Sequence, residues 1–195
     1  MQSIVRLKKT LHKKKFDALK KIELAELYSE INCEDSAYAT YYNVFEKEKI
    51  NKTLNDEQYK ELLFKLHLIE SSKHNYQRDR RFFLNQLKIN SQKDPSDKWY
   101  AKIEYENFKD LYEDSLKYKL AFEKIKTVQN TDFYKSNVEF KSIVLLGLGS
   151  LYTNLKQFDL SEKALNESLQ ISTKNNDYLH QTYTLINLGV NERVR

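Results

Sequence analysis

A large apolar residue returns along this chain at a nearly fixed interval, and its neighbours return with it. Leu24, Leu66, Phe108, Leu148 and Leu188 are separated by 42, 42, 40 and 40 residues. A period of that size implies stacked units. One amphipathic helix pair cannot bury its apolar face alone, whereas neighbouring pairs cover one another and their interface energies add. Three glycines and one proline in 195 residues leave little room for hairpins or a many-turned sheet, so helices with polar connections are expected.

The clearest unit is Ser142 to Thr173, which reads as two amphipathic helices joined by the turn Leu155-Lys156-Gln157-Phe158-Asp159. Leu145, Leu148, Gly149 and Tyr152 mark the first helix; Phe158, Ser161, Leu165 and Ser168 mark the second. The first unit keeps this register with Leu24, Ala25, Tyr28, Ala37, Tyr41 and Val44. The third keeps it with Phe108, Lys109, Tyr112, Tyr118, Ala121, Ile125 and Val128, and a fifth begins at Leu185, Leu188 and Gly189.

The pattern resembles the tetratricopeptide repeat, with a period longer than that family's usual one of about 34 residues. The resemblance implies an all-α fold, a right-handed alpha-alpha superhelix built as a TPR-like solenoid of antiparallel helix pairs. A single domain is expected over residues 1–195, with units near 16–50, 55–89, 97–129, 138–173 and 177–195 behind a basic helix over 1–15. Helices are predicted at 3–14, 17–31, 35–50, 55–72, 75–89, 97–114, 117–129, 133–155, 159–173 and 177–193. Asn90 to Asp97 is the clearest loop, since Pro95 lacks an amide donor and Ser96 or Asp97 can cap the next helix. The last helix has no partner within this sequence, so it is expected either to cap the stack or to belong to a longer one.

The second unit fits worst. Leu66, Tyr76 and Phe83 agree, but His67 stands where a small residue belongs, Glu70 where Tyr belongs and Asp79 where Ala belongs. Small residues let helices approach to about 8 Å and larger ones hold them nearer 10 Å, so a looser or re-registered pair is expected there.

The net charge of +5 is uneven, because residues 1–21 carry +7 and residues 22–195 carry −2. Ile4, Leu7 and Leu11 share one side of the basic head, with Lys8, Lys9, Lys13, Lys14 and Lys15 mostly around the other. Such a helix can lie on phosphates or an anionic surface. The plainer reading is the solvated face of a terminal helix, and only Phe16 offers a ring for base stacking, so nucleic acid is an unfavoured partner. The segment Tyr76 to Phe83 mixes arginines with aromatics, but Tyr76 and Phe83 already serve as packing positions.

Chemistry is hard to assemble from this sequence. One cysteine, Cys33, excludes an internal disulfide and a cysteine zinc site, and His12, His67, His74 and His180 show no ligand spacing. There is no phosphate-cradling glycine loop and no nucleophile elbow, so neither a cofactor nor catalysis is expected. The longest apolar run, Ile143 to Gly149, is far short of the roughly 18 residues of a membrane span. With no signal-peptide pattern at the N-terminus, the cytoplasm is the default compartment. Most tyrosines and phenylalanines fall on repeat positions and are read as core, with Trp99 a candidate for a partly exposed anchor.

In the tetratricopeptide family the first helix of each pair lines a concave groove that binds extended peptides or helices, through positions two, five and six after the Leu site. Carried over by register, these are Glu26, Ser29 and Glu30, then Leu68, Ser71 and Ser72, then Asp110, Glu113 and Asp114, then Ser150, Thr153 and Asn154, with Leu146 and Ile186 as a small apolar floor. Co-chaperone members hold a peptide carboxylate with Lys, Arg and Asn in this row. Glu26 and Asp110 stand here where Asn is wanted, which argues against such a clamp. The resemblance therefore implies a non-catalytic protein- or peptide-binding scaffold whose partner is basic or amphipathic. The alternative is a sensor or regulatory module, because Tyr105 to Tyr112 at this period looks like the repeat regions of bacterial histidine kinases and transcription regulators; that reading needs an effector domain absent from this sequence.

Overall fold

The computed structural model describes residue 4 and residues 16–72, 77–113 and 117–195. The basic N-terminal helix predicted at 3–14 (save Ile4, helical and buried), together with Asp114, His12, His74 and Tyr76, lies outside these residues, as does the side chain of Asp79. Among the described residues there are ten helices and no strand: α1 (Ala18–Glu30), α2 (Glu34–Asn51), α3 (Asp56–Ser72), α4 (Gln77–Asn90), α5 (Lys98–Tyr112), α6 (Tyr118–Gln129), α7 (Asp132–Ser136), α8 (Val138–Asn154), α9 (Phe158–Lys174) and α10 (Tyr178–Val194). They gather into two compact units, Met1–Ser91 and Gln92–Arg195.

Polar side chains fix where the helices begin. Asp17 accepts from the Lys20 amide (3.2 Å), Asp97 from Trp99 (2.8 Å), Asn137 from Phe140 (2.7 Å) and Asp177 from His180 (3.1 Å). Each satisfies an amide that has no partner inside its helix. Three turns end in one way. The amide of a left-handed residue, Asn32 (φ 57°), Lys156 (59°) or Asn176 (55°), bonds back to Ser29, Thr153 or Thr173. The next amide bonds to Tyr28, Tyr152 or Ser172 (2.8 to 2.9 Å), which is the paired-bond cap that reverses a helix into an antiparallel neighbour.

In the first unit α1 packs on α2 and α3 on α4, with α2 against α3. Leu24, Ala25, Ala37, Tyr41, Val44, Leu62, Leu63, Leu66, Phe83 and Leu87 are buried. Phe45, 2% exposed, joins them: its ring meets Phe83 edge-on at 5.2 Å and stacks on Tyr59 at 6.4 Å. Burying one such side chain contributes about 1.5–3 kcal/mol. The turn between α2 and α3 is held by the buried Glu48 carboxylate, which accepts from the amides of Thr53 (2.7 Å) and Leu54 (2.8 Å) and from the Thr53 hydroxyl.

The expected looseness of the second pair is not found, since α3 and α4 pack as extensively as α1 and α2. His67 is fully buried against Phe64, ring centroids 6.2 Å apart, and the buried Glu70 receives the Tyr38 hydroxyl from α2. His67 and Glu70 are thus accommodated by aromatic and hydrogen-bonded packing.

In the second unit α5 pairs with α6, α8 with α9 and α9 with α10, around Phe108, Ala121, Ile125, Val128, Phe140, Val144, Leu148 and Leu151. Two readings of the sequence are corrected here. The helix predicted over 133–155 is two helices, because Asn137 takes an extended backbone (ψ 106°), ends α7 and caps α8. Trp99 is no exposed anchor: it is 1% exposed, with Lys98 and Lys102 over its ring.

Candidate partner-binding face

The second unit places a run of first helices, α5, α8 and α10, in hydrogen-bonded succession. Asn154 of α8 donates to the hydroxyls of Tyr112 on α5 (2.9 Å) and Tyr118 on α6 (3.1 Å), whose rings stack at 5.9 Å. Burial, then the neighbouring Tyr118, pushes the Tyr112 hydroxyl above its ordinary pKa, while Asn154 and Ser150 oppose the shift. Ser150 donates to Asn187 of α10 (2.8 Å). Further back, Tyr105 of α5 donates to the Ile143 carbonyl of α8 (3.1 Å). Gly147 allows this approach, since a Cβ there would stand 2.9 Å from Phe108.

Behind that row the interface of α8, α9 and α10 is knitted by buried hydroxyls. Ser142 donates to the Ser168 carbonyl (3.1 Å) and Ser168 donates to the Ser142 carbonyl (2.9 Å), with Thr184 3.4 Å from Ser168. At the other end Thr153 lies 2.7 Å from Ser161, which donates to the Gly149 carbonyl (2.9 Å). Thr153 also donates to Asn191 (3.1 Å), which in turn donates to the Phe158 carbonyl (3.2 Å). Buried polar groups satisfied in this way specify one packing.

Thr153 is therefore an interior residue and not part of an open groove. Ser150 and Asn154 lie in the hydrogen-bonded row, half-buried and exposed respectively, and Asp110 (half-buried) and Glu113 (exposed) lie on or just after α5 in the same unit. Asp114 lies outside the described residues. In the first unit Glu26, Ser29 and Glu30 are exposed on α1, where Ser29 bonds back to the Ala25 carbonyl. Leu68 is 37% exposed, Ser71 bonds back to the Leu68 carbonyl, and Ser72 donates to Glu34 (3.3 Å).

The register marks Leu185 and Ile186 on α10 but misses the apolar side chains around them. Seven large apolar side chains there, Tyr178, Leu179, Tyr183, Leu185, Ile186, Val190 and Val194, are between 36% and 73% exposed. At about 100° per residue, Leu179, Tyr183, Ile186 and Val190 share one flank, Leu185 and Gly189 share the other, and the buried Thr184 and Asn191 point inward between them. α10 is tied to α8 by the Ser150–Asn187 bond, and Ile143 and Leu146 of α8 are half-buried. A signal was present in the sequence: in a chain with 31% charged residues, no Asp, Glu, Lys or Arg occurs from Tyr178 to Asn191.

No His, Cys, Asp and Glu cluster able to hold a metal ion occurs among the described residues. No described helix is long and apolar enough to cross a membrane. A pocket of about 400 Å³ at the α2–α3 turn is lined by Glu48, Lys49, Lys52, Leu54, Asn55, Asp56 and Tyr59, but its buried carboxylate is already engaged in holding the turn. No family model, no curated protein and no solved structure matches this chain.

Proposed function

We propose that this chain is a non-catalytic protein- or peptide-binding scaffold, a TPR-like superhelix of helix pairs that takes its partner on the surface of α8 and α10. The observation that carries the reading is the exposed apolar flank Leu179, Tyr183, Ile186 and Val190 of α10. Contiguous apolar surface left open to water marks an interaction site, and burying it contributes about 25 cal/mol per Å². Tyr183 supplies a large ring with a polar tip, the kind of side chain that anchors interfaces.

The partner that fits is an amphipathic segment whose apolar side meets this flank and whose basic side chains meet Asp110 and Glu113. Opposite charge would speed encounter more than it tightens the complex.

The test is titration of labelled amphipathic peptides of basic, neutral and acidic character against the whole chain, in parallel with a Tyr183→Asp, Ile186→Asp variant. Both residues are at least half exposed, so the variant should fold. Basic peptides should bind preferentially and lose at least tenfold in the variant. Asp110→Lys with Glu113→Lys should remove the preference for basic peptides. Binding by none of the peptides, or binding indifferent to the Tyr183 and Ile186 changes, would overturn the reading.

A further inference from the structure

The turn between α2 and α3 is closed differently from the other turns that carry a left-handed residue. After Asn32, Lys156 and Asn176 the next amide returns to a carbonyl of its own helix. After Lys52 (φ 48°) the next two amides, of Thr53 and Leu54, go instead to the side chain of Glu48, at 2.7 and 2.8 Å, and the Thr53 hydroxyl joins them. A carboxylate as buried as this one is costly unless several donors satisfy it, and here three do. The far end of the loop is pinned as well, because Asn55 and Gln58 exchange bonds at the start of α3, 2.8 and 3.0 Å long. The cavity of about 400 Å³ lies among the last turn of α2, this loop and Tyr59 of α3, so its walls are fixed before anything enters. Its volume is at the small end of the range that holds small molecules.

The charges around the cavity are nearly all committed. The Lys49 ammonium lies 2.6 Å from Glu46, Asp56 lies 2.8 Å from Lys60, and Glu48 is held by the loop. Lys52 is exposed and has no ion pair among the described residues. The apolar part of the lining is Leu54 and Tyr59, both half-buried, and the Tyr59 ring is backed by Phe45 in a stacked arrangement. Burial raises the pKa of the Tyr59 hydroxyl, and the Lys49 ammonium opposes that rise, so a second cation stands near the ring.

We propose that the cavity at the α2–α3 turn binds a small aromatic monocarboxylate, with its acid group on the Lys52 ammonium and its ring against Tyr59 and Leu54. The one uncommitted positive charge asks for one negative charge in return. A second negative charge on the ligand, as on a phosphate monoester, would be repelled by the Glu48 carboxylate in the lining. A cationic ligand would meet Lys49 and Lys52, and a neutral one would leave Lys52 unused. The site is built wholly from the first unit and does not rest on the α10 surface proposed above.

The probe is 1-naphthylacetate, with 1-naphthylacetamide as its neutral counterpart and 1-naphthyl phosphate as the dianion at about pH 7.5. Saturation-transfer NMR and calorimetric titration into the whole chain should show one-to-one binding of the acid with Kd on the order of 1 mM or tighter, which is ordinary for a ligand this small. The amide and the phosphate should each bind at least fivefold more weakly. Lys52→Gln should weaken binding of the acid about tenfold, while Lys47→Gln, an exposed change on the same helix outside the lining, should leave it unaltered. Tyr59→Leu should weaken it as well, with the melting temperature checking that the unit stays folded. The Tyr183→Asp, Ile186→Asp variant should bind the acid as the parent chain does, whatever becomes of its peptide binding. The proposal is overturned by an acid that does not saturate, by an amide or phosphate that binds as tightly as the acid, by equal losses in Lys47→Gln and Lys52→Gln, or by a loss in the α10 variant.

Discussion

Leu165 closes directly over Gly149: a Cβ on residue 149 would fall 2.6 Å from both Cγ and Cδ2 of Leu165 and 3.4 Å from the Ser161 carbonyl oxygen. Leu165 is wholly buried and cannot swing aside. Gly149→Ala should therefore destabilise the second unit by about 1–3 kcal/mol through overpacking, even though alanine is the better helix former. Gly189→Ala removes the same helix penalty with no clash, and should raise stability by up to about 1 kcal/mol. Urea unfolding followed by circular dichroism compares the two. Equal effects would mean that α9 does not sit on α8 as described.

Asn191 is the second point on which this interface turns. Fully buried, it accepts from Thr153 and donates to the Phe158 carbonyl, tying α10 to both helices behind it. Asn191→Ala strands a buried carbonyl and should cost about 1–3 kcal/mol. Thr153→Val added to Asn191→Ala should cost less than the two separate losses combined, because the variants share one network. Strict additivity in that double-mutant cycle would show that the bond contributes nothing.

The left-handed position at Lys156 offers a gain. Its φ of 59° places a side-chain-bearing residue where only glycine is at ease, and its side chain is exposed. Lys156→Gly should stabilise the α8–α9 turn by about 0.5–1 kcal/mol, the relief of strain exceeding the added freedom of the unfolded chain. Asn176→Gly should give less, because asparagine tolerates this conformation. Denaturant midpoints for the two variants check the order.

That turn also shows why some of the fold was legible in the sequence and some was not. The apolar period placed Leu24, Leu66, Phe108 and Leu148 in the core because burial at helical spacing is a property of the residues themselves. The turn at Leu155–Asp159 was visible, but its left-handed residue was not, since lysine does not advertise that conformation. Asn137 was overlooked because one capping asparagine between two apolar helical runs resembles an ordinary helix residue, and its role shows only in the bond to the Phe140 amide. Thr153 was read as facing a groove although tertiary packing turned it inward to Ser161 and Asn191. Of the candidate face, Leu146 and Ile186 were found by register. Tyr183 and Val190 emerge only once it is known which side of α10 meets α8 and α9.

High pH should expose how tightly two tyrosines are held. Tyr41 is 1% exposed, and burial, then the nearby Glu26 carboxylate, raises its pKa well above the usual tyrosine range. Tyr105 donates to the Ile143 carbonyl and is raised in the same direction by burial and then by Glu106. In the unfolded chain both ionise near pH 10. Above that pH the folded state holds more protons than the unfolded one, so stability is intact below about pH 10 and falls as pH rises, by up to about 1.4 kcal/mol per pH unit for a fully buried tyrosine. Absorbance at 295 nm, followed beside circular dichroism at 222 nm, should show a tyrosine step, that of Tyr41 and Tyr105, which appears only as helicity is lost. Tyr41→Phe should make the alkaline loss of stability shallower. A single titration near pH 10 covering every tyrosine, with helicity unchanged, would show that neither hydroxyl is enclosed in the way its packing requires.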